Sequence, residues 1–253
     1  MRETPRPQGT AGNGAEPPQP RPDRALAHTA GAPGSGTPHR SDGRPPHTPR
    51  GARQPGPRDR PGATPPAPGR SAVFWALLVL AVTTWQVLVR GPLARLDERV
   101  SRAVVDTVPR PLSELGADLG NMEVALPVLG CAAAYAAWRG HRRAALLAVL
   151  AMAAVPLLVI PLKEWTARPG PLEPWAAGYF PSGHTATALV AYCGAAMLVR
   201  RRWTMPVAWA LTAATGIGLV LRGYHWPLDV LASVCLGLLI LTAGARGTRG
   251  RSG

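Results

Sequence analysis

The chain has 253 residues, and 28 Lys+Arg against 14 Asp+Glu give it a formal net charge of +14. Its 46% apolar average conceals two unlike segments, one almost without apolar side chains and one far richer in them, which excludes an ordinary soluble domain. Cys131, Cys193 and Cys235 each sit in an apolar run, so a disulfide scaffold is excluded as well.

Residues 1–70 hold 17 of the 29 Pro, 11 of the 28 Gly and 11 Arg, and no Phe, Trp, Tyr, Val or Ile. Such a stretch cannot bury enough apolar surface to offset the entropy of ordering it, so a disordered tail is expected. With 11 Arg and five acids the tail carries +6, but it has no aromatic ring on which a base could stack, so nucleic acid is not an expected partner. A solvated linker, with Arg, Gly and Pro favoured by GC-rich coding, is the simplest reading of it. It also lacks the apolar core of a signal peptide, so the first apolar segment is expected to stay as an anchor.

From residue 71 the sequence reads as successive membrane spans, each needing about 20 mostly apolar residues. The predicted spans are 72–89, 121–138, 144–162, 184–199, 203–221 and 226–245, followed by a short basic C-terminal tail over 246–253. The predicted fold class is therefore all-α, a six-transmembrane-helix bundle with a disordered N-terminal tail. The third span contains Pro156 and Pro161, tolerable where neighbouring helices cover the freed carbonyls. The stretch between the first two spans reads as a charged loop, its Arg95, Arg99, Arg102 and Arg110 balanced by Asp97, Glu98, Asp106 and Glu114.

Arginines set the orientation. Arg139, Arg142, Arg143, Arg200, Arg201, Arg202, Arg246 and the tail share one side, which the positive-inside rule places in the cytoplasm together with both termini. The opposite, extracytoplasmic side then receives Lys163, Arg168, Ser182, Gly183, His184, Arg222, His225 and Asp229. Singly, each has an ordinary structural explanation: Lys163 and Arg222 snorkelling, Ser182 capping a helix, His225 and Asp229 paired at four-residue spacing. Asp229 is the exception, because an acid inside an apolar span is costly unless paired.

Together these residues suit a phosphate. Three cations and the free N–H groups of a helix opening at Ser182-Gly183-His184 attract a multiply charged anion. One His can attack phosphorus while the other protonates the departing oxygen, and a carboxylate beside the attacking imidazole fixes its tautomer. The alternative reading makes His184, His225 and Asp229 ligands of a metal, in a metal-dependent hydrolase or transporter.

Lys163 to Pro171 (KEWTARPGP), Pro181 to His184 (PSGH) and Arg222 to Asp229 (RGYHWPLD) resemble the three motifs of the type 2 phosphatidic acid phosphatase (PAP2) superfamily. That resemblance implies an integral membrane phosphatase acting on a lipid phosphate or diphosphate without metal or other cofactor. It implies His225 as the nucleophile forming a phosphohistidine, Asp229 as its partner, His184 as general acid, and Lys163, Ser182 and Gly183 as phosphate binders; by charge and position Arg168 and Arg222 are expected to complete the clamp. Undecaprenyl diphosphate is the first expected substrate and phosphatidic acid the next. Two departures stand out. Where the family carries Arg-Pro after lysine and six residues, this chain has Gly170-Pro171, with Arg168-Pro169 two residues earlier. Where the family carries Arg six residues before the nucleophilic His, it has Leu219, and Arg222 lies three before. A catalytically impaired member is the corresponding alternative.

Overall fold

A computed structural model describes residues 69–249. The expected tail therefore lies outside the described residues except for its last two positions, as does the end of the C-terminal tail. Among the described residues all regular structure is helical: α1 (Arg70–Leu88), α2 (Pro92–Val104), α3 (Arg110–Asp118), α4 (Met122–Trp138), α5 (Arg142–Thr166), α6 (Gly183–Val199), α7 (Thr204–Leu221) and α8 (Pro227–Arg249). Six of these occupy the six predicted apolar stretches. Four (α1, α5, α7, α8) are by themselves long and apolar enough to cross a membrane, and α4 qualifies only with α3, to which it is joined at a 44° bend.

The sixth apolar helix is the centre of the bundle. Thirteen of the 17 residues of α6 are buried, so it meets α4, α5, α7 and α8 rather than lipid. Its small residues Ala188, Ala191, Gly194 and Ala195 let those neighbours approach closely. At about 1.5 Å per residue α6 is shorter than a hydrocarbon core of about 30 Å, so by length it does not qualify as a span. The outer helices carry the exposed Leu, Val and Ile side chains instead. Exposed tryptophans collect at both ends, Trp85, Trp165 and Trp175 at one and Trp75, Trp138 and Trp203 at the other, as in interfacial aromatic belts.

Helix ends follow local chemistry. Backbone N–H of Ala167, in the left-handed region at φ 43°, closes α5 on the Lys163 carbonyl at 3.0 Å, and Pro169 and Pro171 prevent resumption. Ser182 caps α6, its Oγ accepting from the Thr185 N–H at 3.3 Å. Pro92 stands at the first turn of α2, where Gln86 Oε1 accepts from the Leu93 N–H at 3.1 Å.

The predicted loop between the first two spans is instead two helices. In α2, Ala94, Asp97 and Ser101 form a buried face of small or polar residues, Leu93, Leu96 and Val100 an exposed apolar face, and Arg95, Arg99 and Arg102 an exposed charged face. This three-sided pattern is the one expected of a helix that lies at a membrane interface against a protein wall. Neither helix is long enough to register as a span, and their charge reads as loop. Helix α3 lies backbone-close on α7: a Cβ at Gly218 would meet the Ser113 carbonyl oxygen at 2.7 Å, and one at Gly116 the Ala214 carbonyl oxygen at 2.8 Å.

Candidate active site

The C-terminal ends of α5 and α7 and the N-terminal ends of α6 and α8 meet around an open cavity of about 810 Å³. Lys163, from the last turn of α5, lines it with Gly183 and His184 from the first turn of α6 and with His225 from the turn between α7 and α8. The imidazoles of His184 and His225 face one another at 6.5 Å between ring centroids. The α3–α4 turn approaches His184 so closely that a Cβ at Gly120 would sit 3.0 Å from the His184 Cβ and 2.6 Å from Thr215 Cγ2. One cavity wall is apolar, built by Val155, Pro156, Val159 and Ile160 of α5.

Behind His225 stands a buried carboxylate. His225 precedes α8, so the expected pair one turn apart on a single helix is corrected: Asp229, in the first turn of α8, reaches back to it. Asp229 Oδ2 lies 3.3 Å from His225 Nδ1 and accepts from the Trp226 N–H at 3.1 Å. This arrangement leaves the second ring nitrogen, Nε2, for chemistry. The Asp229 main-chain oxygen accepts from the Ser182 N–H at 3.2 Å and from Ser233 Oγ at 2.7 Å, and Ser233 Oγ also lies 2.7 Å from the Ser182 carbonyl oxygen. The N-termini of α6 and α8 are thereby stitched together.

Arg168 is not brought into the cavity. It is buried behind the His225–Asp229 pair, with Nη1 2.6 Å from Asp229 Oδ1, Nη2 2.6 Å from Asp97 Oδ2, and its guanidinium 5.2 Å from the Trp226 ring centre. Standing two residues nearer to Lys163 than the family's arginine, directly after the left-handed Ala167, it turns inward to the carboxylates. Arg222 also lies away from the cavity, 3.1 Å from Asp106 Oδ1 and 2.8 Å from Glu114 Oε2, and ties the end of α7 to α3 and to the α2–α3 connection. Ser182 is fully buried as the α6 cap. Of the three expected cations, Lys163 alone lines the cavity.

Two residues beside the site were not read as site residues in the sequence. Asp97 of α2 is buried, receives Arg168, and accepts from the Leu228 N–H at 2.8 Å through Oδ1. Burial pushes its carboxyl above the usual value, while Arg168 and the Leu228 N–H pull it back. Tyr179 packs edge-on against His225 at 5.8 Å. Its hydroxyl donates to Glu173 at 2.7 Å, and that hydrogen bond, with burial, pushes the phenol up to about 12. The signal for Asp97 was the Ala94, Asp97, Ser101 spacing, a lone acid on the small-residue face of an otherwise amphipathic helix. Among the described residues no group of three His, Cys, Asp or Glu side chains is arranged to hold a metal ion.

Residues 144–251 match the PAP2 superfamily. No curated protein matches the chain. Among solved structures it is similar to the crystal structure of the first transmembrane PAP2 type phosphatidylglycerolphosphate phosphatase from Bacillus subtilis, with a TM-score of 0.59 and 26% identity, over 72% of this chain and 98% of that one. The matched segment carries Lys163, both cavity histidines and Asp229, so the similarity falls on the residues that build the cavity and supports a multi-pass membrane phosphatase of the PAP2 type.

Proposed function

We propose that the chain releases phosphate from a lipid phosphate or diphosphate at the extracytoplasmic membrane surface through a phosphohistidine on His225. The observation that carries this reading is the facing of His184 and His225 across a cavity that also holds Lys163 and the opening of α6. Nε2 of His225 attacks phosphorus, the bond from phosphorus to the lipid oxygen breaks, and His184 gives its proton to that oxygen. Water then attacks the phosphohistidine, His184 takes the water proton, and phosphate departs. The Lys163 ammonium and the Gly183 and His184 N–H groups at the opening of α6 stabilise the charge on the other phosphorus oxygens. Asp229 holds the His225 ring and offsets the positive charge that the attack creates.

The apolar α5 wall suits a substrate whose tail stays in the bilayer. Reading the arginine-rich end of the bundle as the cytoplasmic end supports an extracytoplasmic cavity, for which undecaprenyl diphosphate is the first candidate. Phosphatidic acid and phosphatidylglycerol phosphate, the latter suggested by the similar Bacillus subtilis enzyme, come next. The six-span topology belongs to the same proposal, with α4 and the enclosed α6 as the two spans that length alone does not identify. Purified full-length chain, assayed with all three lipids between pH 5 and 8, is expected to release phosphate from at least one; release from none overturns the reading. An acid-labile phosphoenzyme lost in His225→Ala is expected on rapid quenching. The withdrawal of Arg168 and Arg222 from the cavity favours one second reading, a slow or impaired phosphatase, which predicts stoichiometric phosphoenzyme with little turnover.

A further inference from the structure

We infer that Asp97, on the interfacial helix α2 and outside the residues that match the superfamily, is a positioning residue for the His225–Asp229 pair and acts through Arg168. This rests on the proposed role of that pair. The guanidinium is a planar fork whose two arms end on two different carboxylates, each at 2.6 Å, with the Trp226 ring alongside. Its position, and with it the position of Asp229 Oδ1, is thus fixed relative to α2. The second oxygen of Asp97 fixes the same unit independently, because it holds the backbone of Leu228 in the first turn of α8, next to Asp229.

Charge sharing gives this geometry a chemical consequence. A buried guanidinium facing Asp229 alone would draw that carboxylate's charge onto itself and away from the His225 ring. With Asp97 on the other arm, one cation is divided between two anions, and the group as a whole keeps a negative charge behind the imidazole. The positive charge that develops on His225 during attack is then better offset. Side-chain length matters equally: Glu at position 97 would add a methylene and push either the guanidinium or the α8 turn from its place.

Asp97→Asn keeps an oxygen for the Leu228 N–H and removes the charge from Arg168. It is expected to lower kcat for the lipid phosphate about ten- to a hundred-fold, the size typical when the outer partner of an active-site group is lost, with KM within about two-fold. Lysine at position 168 cannot reach both acids, so the double variant D97N/R168K is expected to be no slower than R168K alone. A purely structural role for Asp97 predicts instead a raised KM, or losses that multiply; either result overturns the inference, as does a kcat for D97N within two-fold of the unaltered chain.

Carbethoxylation of the full-length chain in detergent gives a readout that does not need turnover. His225 modification, measured by mass spectrometry against the exposed His141, is expected to slow about three-fold or more in D97N, and an unchanged ratio overturns the inference. If the unaltered chain hydrolyses no lipid, the phosphatase reading falls while this ratio still decides the part played by Asp97. Should D97N fail to fold, D97E stands in for it, with a lower kcat at unchanged KM expected and an unaltered kcat overturning the inference.

Discussion

The two ends of the bundle carry the same cation and use it in opposite ways. At the end away from the cavity, Arg139, Arg142, Arg143, Arg201 and Arg202 are exposed, and Arg143 reaches a backbone carbonyl at the C-terminal end of α8, the Gly247 oxygen at 2.5 Å. At the cavity end, Arg168 is buried between two carboxylates, and Arg222 is enclosed by Asp106, Glu114 and the Tyr224 ring. An exposed arginine interacts with water and headgroups and contributes little to any one geometry. A buried one must be neutralised on every side, so it dictates where its partners stand. The difference teaches that net charge and position along the chain do not distinguish an orienting arginine from a building one; carboxylates from other helices do.

Substitutions can break that comparison. His225→Ala removes the proposed nucleophile and is expected to take lipid phosphate hydrolysis to background. His184→Ala is expected to cost about 10²–10⁴-fold, the range for a lost general acid, measured as phosphate release under saturating lipid. Arg168→Gln would leave Asp97 and Asp229 buried without their cation. A stability loss of about 3–5 kcal/mol in thermal or denaturant unfolding is the expected result. Lys163→Arg preserves charge and changes shape, and about a ten-fold rise in KM is expected if the ammonium meets phosphate directly. Arg222→Gln should lower the thermal midpoint with kcat little altered, because its partners bind the end of α7 to α3 and to the α2–α3 connection rather than to the cavity. At the far end Arg201→Gln should change neither. A large catalytic loss in R201Q, or none in R168K, would erase the distinction between the two ends.

Long apolar runs made the bundle legible: α1 and α4 to α8 lie close to the bounds their composition predicts, since only an apolar helix is stable in lipid. Helices α2 and α3 were illegible for the complementary reason. Their 13 and nine residues mix leucine with arginine, and what makes them helical is an interface and a protein wall, neither of which is written in a local run. The histidines, Lys163 and Asp229 could be read because motif spacing places them at helix ends. Arg168 and Arg222 could be named but not assigned, because their direction depends on the carboxylates that face them. Asp97 stands 71 residues from Arg168 in sequence, and counting charges reduced it to a counter-ion for nearby loop arginines.

The stitch between α6 and α8 has a further consequence. Ser182, Ser233 and Asp229 join the two helix openings through main-chain oxygens, so α6, which bears His184, and α8, which begins two residues after His225, start from one clasp rather than from two independently tethered ends. A bilayer that thickens, thins or bends can tilt the long outer helices against each other. The spacing between His184 and His225, 6.5 Å between ring centroids, is set beside this clasp. The reaction geometry proposed for the two histidines is therefore expected to stay constant while the thickness of the host membrane varies.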